Sequence, residues 1–429
     1  MEFPGVPAVD SNETDESTGS HQCSEDETWA ITRRDAPLSN ETALRVMDHA
    51  HMVLSKRLNE IKGDLDLFKF ETSLARFQNS EIDIGKRIAF GNFADIFVIR
   101  KWKKAKSVKA CTAEQAEAAK EIMRTYRPED VVIKVLRPTL LTNSALYATG
   151  AADILTEGTL LATLDHPHIV RIRGRSVPSV DGFASGKRDS FFLVLERLDG
   201  NLIHRMDEWK ERASDNRIVR NGIRGRRHNR AVILLERVVL MAQLADAITY
   251  LHSKNIIHRD LKQSNVGIDR HGNVRLIDFG LAKVLPPHKN DNETFKMTGN
   301  TGSMRYMAPE IARGEKYNLK ADVYSFAILL YEVLNLTKAW NGMQPQEIKC
   351  KVVARKQRPM VSMFWPAPLR DLLKSTWSDL PGGRLSMTHV LSVLEKQARL
   401  MDAEVSTPPA TTASTDYDDD PPKPKSSFF

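Results

Sequence analysis

IIHRDLKQSNVGI, residues 256–268, is followed at a short interval by LIDFGLAK, residues 276–283. Each segment sets a few polar side chains on a short connection between apolar runs. Asp260 could hold the proton of a nucleophile, and Asn265 and Asp278 offer hard oxygen donors suited to Mg2+. Any one of these residues alone would be an ordinary loop acid or amide. Their order, with apolar flanks intact, is hard to obtain by chance.

Outward from that stretch the periodicity divides the chain. Between 81 and 195 short β-branched or aromatic runs recur, such as DVVIKVL and SFFLVLERL, and read as strands. One helix interrupts them: in AADILTEGTLLATLDHP, residues Ile154, Glu157, Leu161 and Leu164 share a face, so a carboxylate sits inside an apolar stripe. Between 201 and 400 helical periodicity dominates, as in VVLMAQLADAITYLHSKN and ADVYSFAILLYEVLNL. The implied class is α+β: a small lobe built on an antiparallel sheet, then a larger helical lobe. Residues 101–129 and 205–230 read as insertions, the latter with nine Lys or Arg against four acids.

These motifs together resemble the eukaryotic protein kinase family, with its bilobal fold, over residues 81–400 (an N-lobe at 81–195 and a C-lobe at 201–400). The resemblance implies ATP and Mg2+ as cofactors and protein substrates. It implies that Lys134 of VVIK holds the α- and β-phosphates and pairs with Glu157. That pairing would explain a carboxylate on the apolar face of its helix, since an unpaired one would cost several kcal/mol or protonate. Asp260 would orient the substrate hydroxyl and accept its proton, Lys262 would neutralise charge on the transferred phosphate, and Asn265 and Asp278 would ligate Mg2+. Ile88, Gly91, Ile96 and Val132 would cover the nucleotide. Leu195 would stand behind the adenine, with the backbones of Glu196 and Leu198 offered to it. Glu310 would pair with Arg384, and Asp322 would brace the catalytic loop.

HRDLKQSN is the serine/threonine pattern, and TGSMRYMAPE with WSDLPGGRLS is most similar to the tyrosine kinase-like group. In the family an arginine such as Arg259 often binds a phosphate on the segment between Asp278 and Glu310, where Thr298 and Thr301 are the candidates. One feature departs from the pattern. In IAFGNFADIFVI, Ala89 and Ala94 replace two of three expected glycines and only Gly91 remains. Alanine disfavours positive φ, so the loop should be restricted without losing a charge or a ligand. The alternative is a pseudokinase scaffold, resting on that altered loop and on Val132.

Composition frames the site. The chain has 429 residues and a net charge of +7. Residues 1–30 contribute −8 and residues 402–429 contribute −4, leaving +19 on the body between them. We expect disordered acidic ends at 1–38 and 401–429 and a helical extension at 39–80. In that extension Leu44, Met47, His51, Leu54, Leu58, Ile61, Leu65 and Phe68 form a stripe for docking on the chain's own domain. The basic stretch at 205–230 reads as a solvated face or as a site for an acidic partner or anionic surface. Its basic half, RIVRNGIRGRRHNR at 217–230, lacks interleaved aromatic residues, so nucleic acid is not expected there. No apolar run is long enough for a transmembrane segment, and three scattered cysteines fit a reducing, cytoplasmic setting with nuclear access left open.

Overall fold

The computed structural model describes residues 39–61, 74–103, 111–177, 180–185, 191–214, 222–287, 290 and 292–406. The ends expected to be disordered, at 1–38 and beyond 406, lie outside these residues. So do Leu65 and Phe68 of the helical stripe, residues 104–110 of the first insertion and residues 215–221 of the basic stretch.

The N-lobe is a six-stranded sheet in the order β1 (Arg76–Phe77), β5 (Ile172–Ser176), β6 (Phe192–Glu196), β4 (Val131–Leu136), β3 (Ala94–Trp102) and β2 (Ile82–Phe90). Neighbours are antiparallel except β1 and β5, which run parallel. The sheet thus starts ahead of the boundary expected at 81 and is not wholly antiparallel.

Strand alternation decides which side chains meet which layer. Val131, Ile133 and Val135 face outward with Ile84, Phe97, Phe192 and Val194, and this face is buried. It is covered by α2 (Ala113–Thr125), which Thr112 caps by accepting the Gln115 amide at 3.2 Å. Ala119, Ile122 and Met123 of α2 pack on it. The helical part of the 101–129 insertion is therefore a lid on the small core. The other side of β4 carries Val132, Lys134 and Leu136 toward α3 (Ser144–Leu161).

The helical stripe near the start is corrected by packing. In α1 (Asn40–Ile61) the buried residues are Ala43, Val46 and Ala50, with Met47 and Leu54 partly buried. Leu44 stays 48% exposed. The helix lies along α3 and the short turn Val180–Ser185, where His51 Nε2 is 3.0 Å from Asp181 Oδ1.

In the C-lobe, α4 (Leu202–Ser214) leads to α5 (Gly222–Ser253), and α6 (Lys320–Asn335) is buried on every face from Lys320 to Leu334. A helix buried all round belongs inside a domain, and α6 forms the centre of the large core with Asp322 and Glu332 as buried acids on it. The helix α7 (Ala367–Thr376) leads to α8 (Met387–Ser406), which packs along α5 and continues past the boundary expected at 400. The second basic stretch is thus split between α4 and the start of α5. Short strands β7 (Gly200–Asn201), β9 (Val266–Ile268) and β10 (Val274–Leu276) form a sheet under the cleft, and β8 (Ile256–Ile257) pairs with β11 (Lys283–Val284). These small sheets hold the two opening motifs side by side.

Candidate active site

Lys134 reaches from β4 into α3, and its Nζ lies 2.5 Å from Glu157 Oε2 and 3.4 Å from Asp278 Oδ1. Glu157 also accepts the Phe279 amide. Burial opposes the charge on Lys134, but the two carboxylates outweigh it and hold the ammonium firmly protonated. Burial likewise pushes the Asp278 carboxyl up, and Lys134, with Lys262 and His258 behind it, more than reverses this, so the group sits below its ordinary value. Asp278 adopts φ +65°, a left-handed turn that aims it into the cleft.

The second half of the site is the loop after β8. Asp260 Oδ1 accepts from both the amide and the hydroxyl of Ser303, each at 3.1 Å. Its Oδ2 meets Lys262 Nζ at 2.9 Å and Asn265 Nδ2 at 3.1 Å. The Asn265 amide also donates to the Asp260 carbonyl at 2.9 Å, which leaves its side-chain oxygen directed elsewhere. Asn265 and Asp278 supply two hard oxygens, a donor set that fits Mg2+, which takes few protein ligands and completes its shell with water and phosphate.

Asp322, fully buried on α6, accepts the backbone amides of His258 at 2.8 Å and Arg259 at 2.9 Å. The His258 and Phe279 rings lie edge to face at 5.0 Å, joining the two motifs. Arg384 meets Glu310 through two parallel bonds of 2.7 Å, both side chains buried.

Strand pairing puts the nucleotide-side residues on one face. Ile96 is opposite Lys134, Val132 is opposite Leu195, and Ala89 is opposite Ile96. Ile88 falls in the bulge of β2 and is 39% exposed. The Glu196 side chain does not face the nucleotide: it accepts the Arg171 amide and lies 3.3 Å from Arg275. Its own amide bonds the Arg171 carbonyl, so only its carbonyl is left to offer. Leu198 packs its side chain against Gly267, where a Cβ would meet it at 2.3 Å.

Neither alanine of the turn occupies a positive-φ position, and neither does Gly91. The expected restriction of the loop therefore costs nothing. A Cβ on Gly91 would touch only the Ala94 carbonyl, at 3.7 Å. The turn is closed by the Gly91 amide on that carbonyl at 2.7 Å and by Arg137 on the Gly91 carbonyl at 3.1 Å. Gly302 is different: its φ is +91° and a Cβ would fall 2.3 Å from the Arg259 carbonyl. Only glycine lets this segment approach closely enough for Ser303 to reach Asp260.

Two parts of the site escaped the sequence reading. Asp153 lies one turn before Glu157, and its Cβ would be 3.2 Å from a Cβ on Gly280. Burial, aided by the Asp278 charge, pushes its carboxyl up to about 8. Glu332 is buried between the loops, accepting from Gln263 at 2.7 Å, Tyr306 at 2.8 Å and the Ala339 amide at 2.8 Å. An acid inside AILLYEVL carried the same signal that singled out Glu157.

Residues 103–393 match the family model described as the protein kinase domain. The dual specificity protein kinase shkB of Dictyostelium discoideum is 30% identical over 268 residues, 62% of this chain and 36% of that protein. Two Arabidopsis thaliana proteins are each 32% identical. Serine/threonine-protein kinase STY17 aligns over 85% of this chain and 52% of its own length. Serine/threonine/tyrosine-protein kinase HT1 aligns over 63% and 61%. The chain thus spans about a third to three fifths of the length of these relatives.

Proposed function

The chain belongs to the protein kinase family, and from that premise we propose that it is an active serine/threonine kinase, moving the γ-phosphoryl group of ATP to hydroxyls of protein substrates. The observation that carries this reading is the unbroken chain Glu157–Lys134–Asp278 beside an Asp260 already bonded to Ser303. A scaffold relieved of catalysis has no need to keep three charges in a cleft at the cost of their desolvation.

In this proposal Lys134 grips the nucleotide phosphates, with its position fixed by Glu157. Asp260 orients the acceptor hydroxyl and takes its proton, and Lys262 offsets charge as the phosphoryl group moves. Asn265 and Asp278 hold Mg2+, which neutralises phosphate charge when bound. Ile88, Gly91, Ile96, Val132 and Leu195 enclose the nucleotide, with the backbones of Glu196 and Leu198 at its base edge. Catalysis is by positioning and electrostatics, without a covalent intermediate. Arg259 waits for a phosphate on Thr298 or Thr301. Unpaired cysteines at 111 and 350 and the family's common use in signalling favour a cytoplasmic relay. Among the described residues no helix is long and apolar enough to cross a membrane.

The test is transfer of labelled phosphate from Mg-ATP to the chain and to a generic protein substrate, with Asp278→Asn run alongside and the product resolved by phosphoamino acid. Label on serine or threonine from the unaltered chain alone supports the reading. A chain that binds Mg-ATP but transfers nothing, even with Thr298 and Thr301 made acidic, sinks it.

A further inference from the structure

The segment between residue 349 and residue 374 sends Val352, Leu369, Leu372 and Leu373 into the large core, but its charge is one-sided. It carries seven Lys or Arg and a single acid, Asp371. At its middle, on the turn that leads into α7, Met360 is 88% exposed, Met363 78% and Phe364 98%. On the neighbouring loop Leu380 is 69% exposed. The two loops are tied together underneath: Trp365 and Trp377 both pack on the Tyr331 ring, at 5.9 and 6.1 Å, and Arg358 bonds the Trp377 carbonyl at 2.7 Å. The tips therefore stand on a fixed base. Large apolar tips grouped on a firm base, in a segment rich in cations and with Arg370 against Met363 at 3.3 Å, are unlike the scattered single exposures of an ordinary surface.

We propose that this end of the C-lobe is a membrane-docking surface, with Met360, Met363 and Phe364 entering the interface of a bilayer rich in anionic lipid while the surrounding Lys and Arg meet its headgroups. The shape selects this occupant. A side chain that is almost wholly exposed has no neighbouring walls, so it cannot form the concave pocket that grips a peptide side chain. A bilayer surrounds a protruding tip without needing walls. Charge selects it too. Lys351, Arg355 and Arg370 have no carboxylate partner among the described residues, and Lys356 reaches Asp379 only at 3.8 Å. A second copy of this chain would bring the same cations face to face, on a body already at +19 once the acidic ends are set aside. An anionic surface draws that body in, and the apolar tips hold it there. The docking is reversible adsorption by a loop, and it does not depend on phosphotransfer.

The experiment is co-sedimentation of the full chain with vesicles of phosphatidylcholine alone and of phosphatidylcholine containing about a third phosphatidylserine. The chain is expected to sediment with the anionic vesicles only, and less so as salt is raised. Met363→Ser with Phe364→Ser should weaken binding at least about 10-fold, and Arg355→Gln with Lys356→Gln several-fold. Neither pair should shift the melting temperature by more than about a degree or two, because Phe364 is almost wholly exposed and Met363 makes a single exposed contact, its sulfur accepting from Arg370 at 3.3 Å. Equal sedimentation of the Phe364 variant and the unaltered chain would overturn the proposal. So would binding only after removal of residues 407–429, which would make the acidic tail the occupant. A dimer in gel filtration that the Phe364 variant abolishes would assign the surface to self-association instead.

Discussion

Arg259 and Thr298 already touch: the guanidinium Nη1 lies 3.2 Å from the Thr298 hydroxyl. Thr301 turns its hydroxyl away, to the carbonyls of Thr298 and Gly299. Arg259 is also anchored by the Leu281 carbonyl at 2.6 Å, so a phosphate on Thr298 would meet a guanidinium held in place. Of two threonines that the sequence could not separate, the geometry favours Thr298. Thr298→Ala should therefore remove most of the activity that phosphatase treatment removes from the unaltered chain, roughly 10-fold. Thr301→Ala should remove much less. Activity measured before and after phosphatase on both variants decides it, and equal losses would contradict this reading.

Replacing Glu157 by Gln keeps the shape of the side chain and deletes its charge. Lys134 then has only Asp278 nearby, at 3.4 Å, and is drawn toward the metal ligand. Turnover should fall on the order of 10²-fold, with a rise in the KM for ATP as Lys134 leaves the phosphates. Steady-state kinetics against ATP concentration test this, and unchanged values would mean that another acid positions the lysine.

Gly302→Ala places a methyl group 2.3 Å from the Arg259 carbonyl at a φ of +91°. The backbone must retreat, and Ser303 loses its bonds to Asp260. We expect turnover to drop by roughly 10²-fold or more while ATP affinity, set on the other side of the cleft, stays within about twofold. Gly91→Ala is the control: the turn has space for the methyl, so stability should be unchanged, and any loss should appear in the KM for ATP.

Glu332 makes stability depend on pH. Burial raises its carboxyl from 4.5 to about 7, despite the Ala339 amide, Tyr306 and Gln263 that favour the charged form. The folded chain therefore holds this proton more tightly than the unfolded chain does. The associated stability is fully present below about pH 4.5 and is lost as pH rises through about 7, by up to about 3 kcal/mol. Urea midpoints for the unaltered chain should fall between pH 5 and pH 8. Glu332→Gln should be less stable at pH 5 and should lose that part of the slope; an unaltered slope would assign it to other groups.

Much of the site was legible because its chemistry is written in short, ordered segments. Asp260, Lys262, Asn265 and Asp278 sit in two motifs only eight residues apart at their nearest ends, and the strand pairs β9–β10 and β8–β11 bring them together. Glu157 was legible because a carboxylate inside an apolar stripe needs a partner. The same logic applied to Glu332 would have found the link to Gln263 and Tyr306.

Sequence alone therefore determined the family, the two-lobed class and the charged groups of the cleft, since local spacing and the cost of burying charge constrain all three. Tertiary packing alone decided the rest. Periodicity gives weight to large side chains, so it chose Leu44 and His51 for the buried face of α1. Close packing of α1 along α3 and the Val180–Ser185 turn favours small residues, so Ala43, Val46 and Ala50 are buried there instead. Whether the turn at Gly91 needs glycine depends on backbone angles, and its φ turned out not to be positive. The parallel pairing of β1, the place of Asp153 against Gly280 and the contact of Arg259 with Thr298 join residues far apart along the chain, and no local pattern encodes such distances.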